Sequence, residues 1–249
     1  MGIANHAVAW DRLNRGDPEG ADEVLLTALA ALRDCGSRLN ECLVLNTLGG
    51  VALDRGDLAR ADEWYAVSLE VALDLKDPAR EALVRSNLGW VACLRGASEE
   101  GLRELEASVR LYRGIGHGVG LGSALVRLAE SLCDLDRWDE AESAAREALE
   151  IATAVDRGLL ERVHRVLALL ATRRGDAEAA EGWLPPPGTD DRPSTRTQRA
   201  AALHVRAEIA LLRGDRAAAR AAMDAARALT APTALGSRFR VLWEELRDG

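Results

Sequence analysis

The sequence predicts an all-α protein, a right-handed α–α superhelix (solenoid) of about six helical hairpins followed by a C-terminal capping helix. Three observations carry that expectation. Gly-Asp recurs at Gly16-Asp17, Gly56-Asp57, Gly175-Asp176 and Gly214-Asp215, with Gly96-Ala97 as a near copy. Steps of 40, 40, 79 and 39 residues separate these glycines, leaving room for one hidden copy near Asp136. Near-constant spacing of this length marks stacked supersecondary units. Apolar residues make up 48% of the 249-residue chain but aromatics only 4%, so Ala, Leu and Val must fill the core, and these small residues suit close helix packing.

The flanks of each turn fix the register. Leu48-Gly49, Leu88-Gly89, Leu128-Ala129 and Leu167-Ala168 each precede a turn by the same interval. A small residue stands one turn into each second helix: Ala21, Ala61, Gly101, Ala141, Ala180 and Ala219. One helical turn later come Leu25, Tyr65, Leu105, Ala145, Leu184 and Met223, on the same face. The small residue lets two backbones approach, and the larger one fills the space beside it. Gly at the corner ends the first helix, and Asp beside it caps the second.

First helices are therefore expected near 5–15, 39–55, 78–95, 119–135, 158–174 and 194–213. Second helices follow near 18–35, 58–75, 98–113, 138–155, 177–184 and 216–229. A cap over 233–247 carries Phe239, Leu242, Trp243 and Leu246 on one face. The whole of 1–249 reads as one solenoid, with repeats over 1–37, 38–77, 78–116, 117–156, 157–193 and 194–230. Two segments depart from the pattern. Pro185-Pro186-Pro187 must break the fifth second helix. The run from Gly114 to Gly122, glycine at every other position, is expected to act as a flexible joint and to delay or fray the next helix.

Leu48-Gly49, Gly56-Asp57, Ala61 and Tyr65 together resemble the signature of the tetratricopeptide repeat. The match runs from Val8 to Leu229, and the ~40-residue period is similar to the long variety in kinesin light chains, Rap-type regulators and the sensor regions of large bacterial transcription activators. The resemblance implies that first helices line a concave groove that binds a protein or peptide. Carried onto this chain, the groove positions include Trp10, Asn14, Asn46, Asp54, Ser86, Asn87, Trp90, Glu130, Asp134, Arg165, Arg173, His204 and Glu208. Asn can donate to and accept from an extended backbone, and Trp offers an apolar anchor. Glu130, Asp134 and Asp54 make the middle acidic, while Arg162, Arg165, Arg173 and Arg174 make the fifth first helix basic.

Other function classes find little support. A formal charge of −8 does not suit a nucleic-acid surface. Cys35, Cys42, Cys93 and Cys133 form no metal-ligand spacing and are expected to be reduced packing thiols. His6, His117, His164 and His204 are scattered, and no nucleophile–base pair is evident, so no enzyme activity, metal or cofactor is expected. With no leader-like start and no membrane span, a cytoplasmic location is the expectation. The expected function is a regulatory protein- or peptide-binding adaptor. The alternative is a ligand-sensing segment of a larger bacterial transcriptional regulator.

Overall fold

A computed structural model describes residues 8, 9, 11, 12, 15, 17–155, 157–184, 196–229 and 237–248. These residues hold twelve helices and no strand. In chain order they are α1 (Pro18–Asp34), α2 (Arg38–Asp54), α3 (Leu58–Asp74), α4 (Pro78–Leu94), α5 (Ser98–Gly114), α6 (Gly118–Asp134) and α7 (Trp138–Val155). There follow α8 (Arg157–Arg173), α9 (Ala177–Trp183), α10 (Arg196–Leu212), α11 (Arg216–Leu229) and the terminal α12 (Ser237–Asp248). The chain divides into two compact units, Met1–His117 and Gly118–Gly249. Of the first expected helix only residues 8, 9, 11, 12 and 15 are described, and the triple-proline loop lies outside the described residues.

Each corner is a two-residue hinge of one kind. At Gly56 the N–H donates to Leu53 O and the next N–H, from Asp57, donates to Ala52 O. This pattern closes a helix on a left-handed residue. It recurs at Gly36, Lys76, Gly96, Gly116, Asp136, Gly175 and Gly214, all at φ between 53° and 88°. From Gly36 to Asp136 the corners are spaced by 20 residues, so there the connection within a hairpin and the connection to the next one use the same device. Asp57, Asp77, Asp176 and Asp215 also accept N–H groups of the following helix, so one residue closes one helix and opens the next.

In the first unit α2 pairs with α3 and α4 with α5, while α1 packs on α2 and α3 on α4. Ala61, Gly101 and Tyr65 are buried as the register requires. Fully buried Ser68 donates to Cys42 O at 3.0 Å, and Ser108, one repeat on, donates to Ala82 O at 2.6 Å. Each serine pins a second helix to the start of the preceding first helix. In the second unit the hairpins are α6–α7, α8–α9 and α10–α11, with α12 on α11. Helix α6 starts at Gly118 and runs its full 17 residues, against the expectation of a late or frayed start. The reason is packing: Gly120 and Gly122 are buried, and a Cβ on Gly122 would lie 2.5 Å from Leu159 Cδ2.

A salt-bridge chain ties the ends of the first three helices. Glu41, on α2 and nearly fully buried, accepts from Arg33 Nε of α1 at 2.9 Å and from Arg38 Nη1 at 2.7 Å. Arg38 continues to Asp74 of α3 at 2.9 Å. Burial pushes the Glu41 carboxyl up, but its hydrogen bonds and Coulomb attraction to Arg33 and Arg38 outweigh burial and hold it below the usual value. A carboxyl lowered by folding adds stability above its unfolded value, about 4.3, and loses it as pH falls through the folded one. Glu41→Gln is therefore expected to lower the melting temperature most at neutral pH. The gap from wild type should close in melts taken stepwise down to about pH 3.

Candidate ligand-binding face

The positions singled out by sequence lie on the first helices: α2 and α4 in one unit, α6, α8 and α10 in the other. Their spacing places them on one helical face in each case, since residues three and four apart share a face. Trp10 and Asn14 fall outside the described residues. Of the remainder, Asn46 meets Asn87 in the first unit and Glu130 meets Arg165 in the second, while the others keep separate partners or surroundings.

In the first unit Asn87 Nδ2 donates to Asn46 Oδ1 at 2.7 Å, joining α4 to α2. Ser86 and Asn87 are buried, and Asn46, Asp54 and Trp90 are half-buried. The side-chain bond engages one donor and one acceptor only. Among the described residues Asn46 Nδ2 and Asn87 Oδ1 make no hydrogen bond, so the amide pair retains both donor and acceptor capacity.

In the second unit the charges that the sequence offers separately are paired. Arg165 Nη2 on α8 lies 2.8 Å from Glu130 Oε1 on α6, and Arg162 Nη2 lies 3.7 Å from Glu130 Oε2. All three side chains are largely shielded, at 11–19% exposure. Burial pushes the Glu130 carboxyl up, but Arg165 and Arg162 outweigh it and hold it low. Burial brings the Arg162 guanidinium down to about 10, with repulsion from Arg127 and Arg165 opposing the attraction of Glu130. Arg173 pairs with Asp136 at 3.1 Å and stands 4.6 Å over the Trp138 ring. His204 is buried, with Nε2 3.7 Å from Glu208 Oε1 and its ring edge-to-face with Phe239 at 5.4 Å. Asp134 is half-buried on α6.

Four arginines, of which only Arg174 was named from the sequence, serve the frame. Arg95 Nη1 bonds Asp62 Oδ2 at 2.5 Å, and Arg213 Nη2 bonds Glu181 Oε2 at 2.7 Å. Arg55 meets Asp22 and Arg174 meets Glu142 in the same way. Each arginine immediately precedes a turn glycine and reaches back 32 or 33 residues to the previous second helix. The signal was present in the sequence as Arg before Gly at every such corner. Such exposed pairs add little stability singly, a few tenths of a kcal/mol to about 1.

All four cysteines are free thiols: Cys35 exposed, Cys93 intermediate, Cys42 and Cys133 buried. Burial pushes the Cys42 thiol up, away from reactivity. Among the described residues no group of three His, Cys, Asp or Glu side chains is placed to hold a metal ion, and no helix is long and apolar enough to cross a membrane.

Residues 120–184 match the family model of the tetratricopeptide repeat. The same fold is seen in solved structures across nearly the whole chain. BtubC (BKLC) from P. vanneervenii is 16% identical with a TM-score of 0.63, over 85% of this chain and 90% of that one. NprR in complex with its cognate peptide NprX is 12% identical with a TM-score of 0.65, over 99% of this chain and 71% of that one. The pilF protein of Pseudomonas aeruginosa is 17% identical with a TM-score of 0.56, over 99% and 96%. None of the curated proteins matches the chain. Residues 120–184 thus carry a match to the tetratricopeptide repeat, and the chain shares the helical-repeat fold of these solved structures.

Proposed function

We propose that the chain is a protein- or peptide-binding repeat scaffold whose ligand lies along the first helices. The Asn46–Asn87 pair carries this reading. Two amides from neighbouring first helices are held together at 2.7 Å, with half-buried Trp90 one turn along the second of them, and both donor and acceptor capacity left over. An extended backbone presents N–H and C=O groups that match this pair, and Trp90 supplies apolar contact area. The likeness in fold to NprR, whose structure holds a peptide, supports the same reading. No reaction is assigned to the face, and the scaffold acts by holding its partner.

The test is affinity capture of partners from the source cell extract, followed by recapture with the double variant Asn46→Ala plus Trp90→Ala. Loss of the captured partner from a folded double variant is the expected result. Undiminished recovery would remove the ligand from this face. A second reading makes the chain the ligand-sensing segment of a larger transcriptional regulator, favoured by the 99% overlap with NprR, a chain that extends beyond it. A native gene encoding these residues alone would count against that second reading.

A further inference from the structure

We infer that Arg162, beside the Glu130–Arg165 pair, forms a subsite for a carboxylate of the bound peptide. The inference rests on the scaffold reading and adds a ligand chemistry to it. Two guanidiniums share one carboxylate here, and they share it unequally. Arg165 takes Glu130 Oε1 at 2.8 Å, within hydrogen-bond distance, whereas Arg162 stands off from Oε2 at 3.7 Å. Among the described residues Arg162 makes no other ion pair or hydrogen bond, so nearly all of its five N–H donors are unengaged there. The group is not simply a solvated surface arginine, because its side chain is only 18% exposed.

Burial disfavours its charge, and Arg127 and Arg165 add repulsion that Glu130 only partly offsets. A guanidinium in that condition gains more from an incoming anion than one already paired or fully hydrated. The planar fork fits a carboxylate with two parallel bonds, which a lysine ammonium cannot match. Glu130 serves as an internal reference anion: it keeps Arg165 neutralised and aligned, and leaves Arg162 to the ligand. The three residues lie on α6 and α8, so the subsite is complete within the second unit.

The test uses fluorescent ten-residue peptide pools, randomised except for a central Glu, Gln or Lys, each with a free or an amidated C-terminus. They are titrated against the full chain by anisotropy. The Glu pool is expected to bind about tenfold or more tightly than the Gln pool, the scale of one charge-assisted hydrogen-bonded contact. That advantage should vanish in Arg162→Gln and persist in part in Arg162→Lys. Glu130→Gln, which removes the internal competitor, should widen it, and this variant decides the matter if Arg162→Gln melts too low to assay. An advantage that follows the free C-terminus and is lost in Arg162→Gln places the carboxylate at the chain end and also supports the subsite. A Glu preference that survives Arg162→Gln overturns the inference. Equal binding of all pools overturns it too, while leaving the scaffold reading intact; binding of none removes both.

Discussion

Gly89→Val is expected to destabilise the first unit by about 3 kcal/mol, the upper range for overpacking against a surface that cannot yield. A Cβ at Gly89 would lie 2.7 Å from the carbonyl oxygen of Gly101 and 2.8 Å from Leu105 Cγ. The relation is reciprocal, since a Cβ at Gly101 would lie 2.6 Å from the carbonyl oxygen of Gly89 and 2.3 Å from Cys93 Sγ. Helices α4 and α5 thus meet backbone to backbone, and relief requires moving one helix off the other. Glycine within a helix gives up about 1 kcal/mol relative to alanine, so the sequence accepts that loss in return for the contact. Gly114→Ala is the control: nothing lies within 4 Å of its Cβ position, and a small gain or no change is expected. Urea denaturation of both variants separates the effects. A Gly89→Val protein as stable as wild type would mean that α4 and α5 do not approach this closely.

Phe239→Ala is expected to weaken the second unit by about 3–4 kcal/mol, as for other fully buried phenylalanines. Phe239 is fully buried, and Leu242 and Leu246 of α12 accompany it against Ala200, Ala207, Ala219, Met223 and Ala226. Those partners on α10 and α11 are mostly alanines, and Phe239 is the largest of the fully buried side chains at this contact. Its loss leaves a cavity that methyl groups cannot collapse to fill. It also removes the ring that covers His204, whose Nε2 is buried without a hydrogen-bond partner. Hydrogen exchange should show α11 and α12 losing protection first. Val241→Ala, at a residue 54% exposed on the same helix, should change nothing measurable. Equal protection in Phe239→Ala and wild type would show that α12 does not close the core.

The architecture was legible because it rests on spacing. The turn glycines, the small residue after each and the larger one a turn later all signal packing that recurs, and repetition amplifies a weak local pattern. The other set of corners escaped notice because one of them uses Lys76, and Gly36 and Gly116 lack a following Asp. The late or frayed helix start expected from the Gly114–Gly122 run did not occur, for a physical reason. Glycine signals flexibility when its space is open, as at Gly114, and close packing when it is filled, as at Gly122; the sequence does not distinguish the two. For the candidate face the sequence supplied residue types and a shared helical surface. It could not show that Asn87 bonds Asn46 or that Glu130 engages Arg165, because each contact joins helices 35 to 41 residues apart through their relative placement.

The shared corner has a consequence for how such a chain can lengthen. A block of 40 residues cut from one corner to its equivalent carries its own closing residue and its own opening aspartate. Duplicating that block adds a hairpin with no new junction to invent, and every later side chain keeps its row. A block of 20 residues would join just as smoothly at the backbone, since both corners share one conformation. Yet it would exchange the two rows of helices beyond the insertion, putting first-helix residues where second-helix residues belong. The backbone alone permits growth by single helices; the two kinds of side-chain row restrict inheritance to whole hairpins.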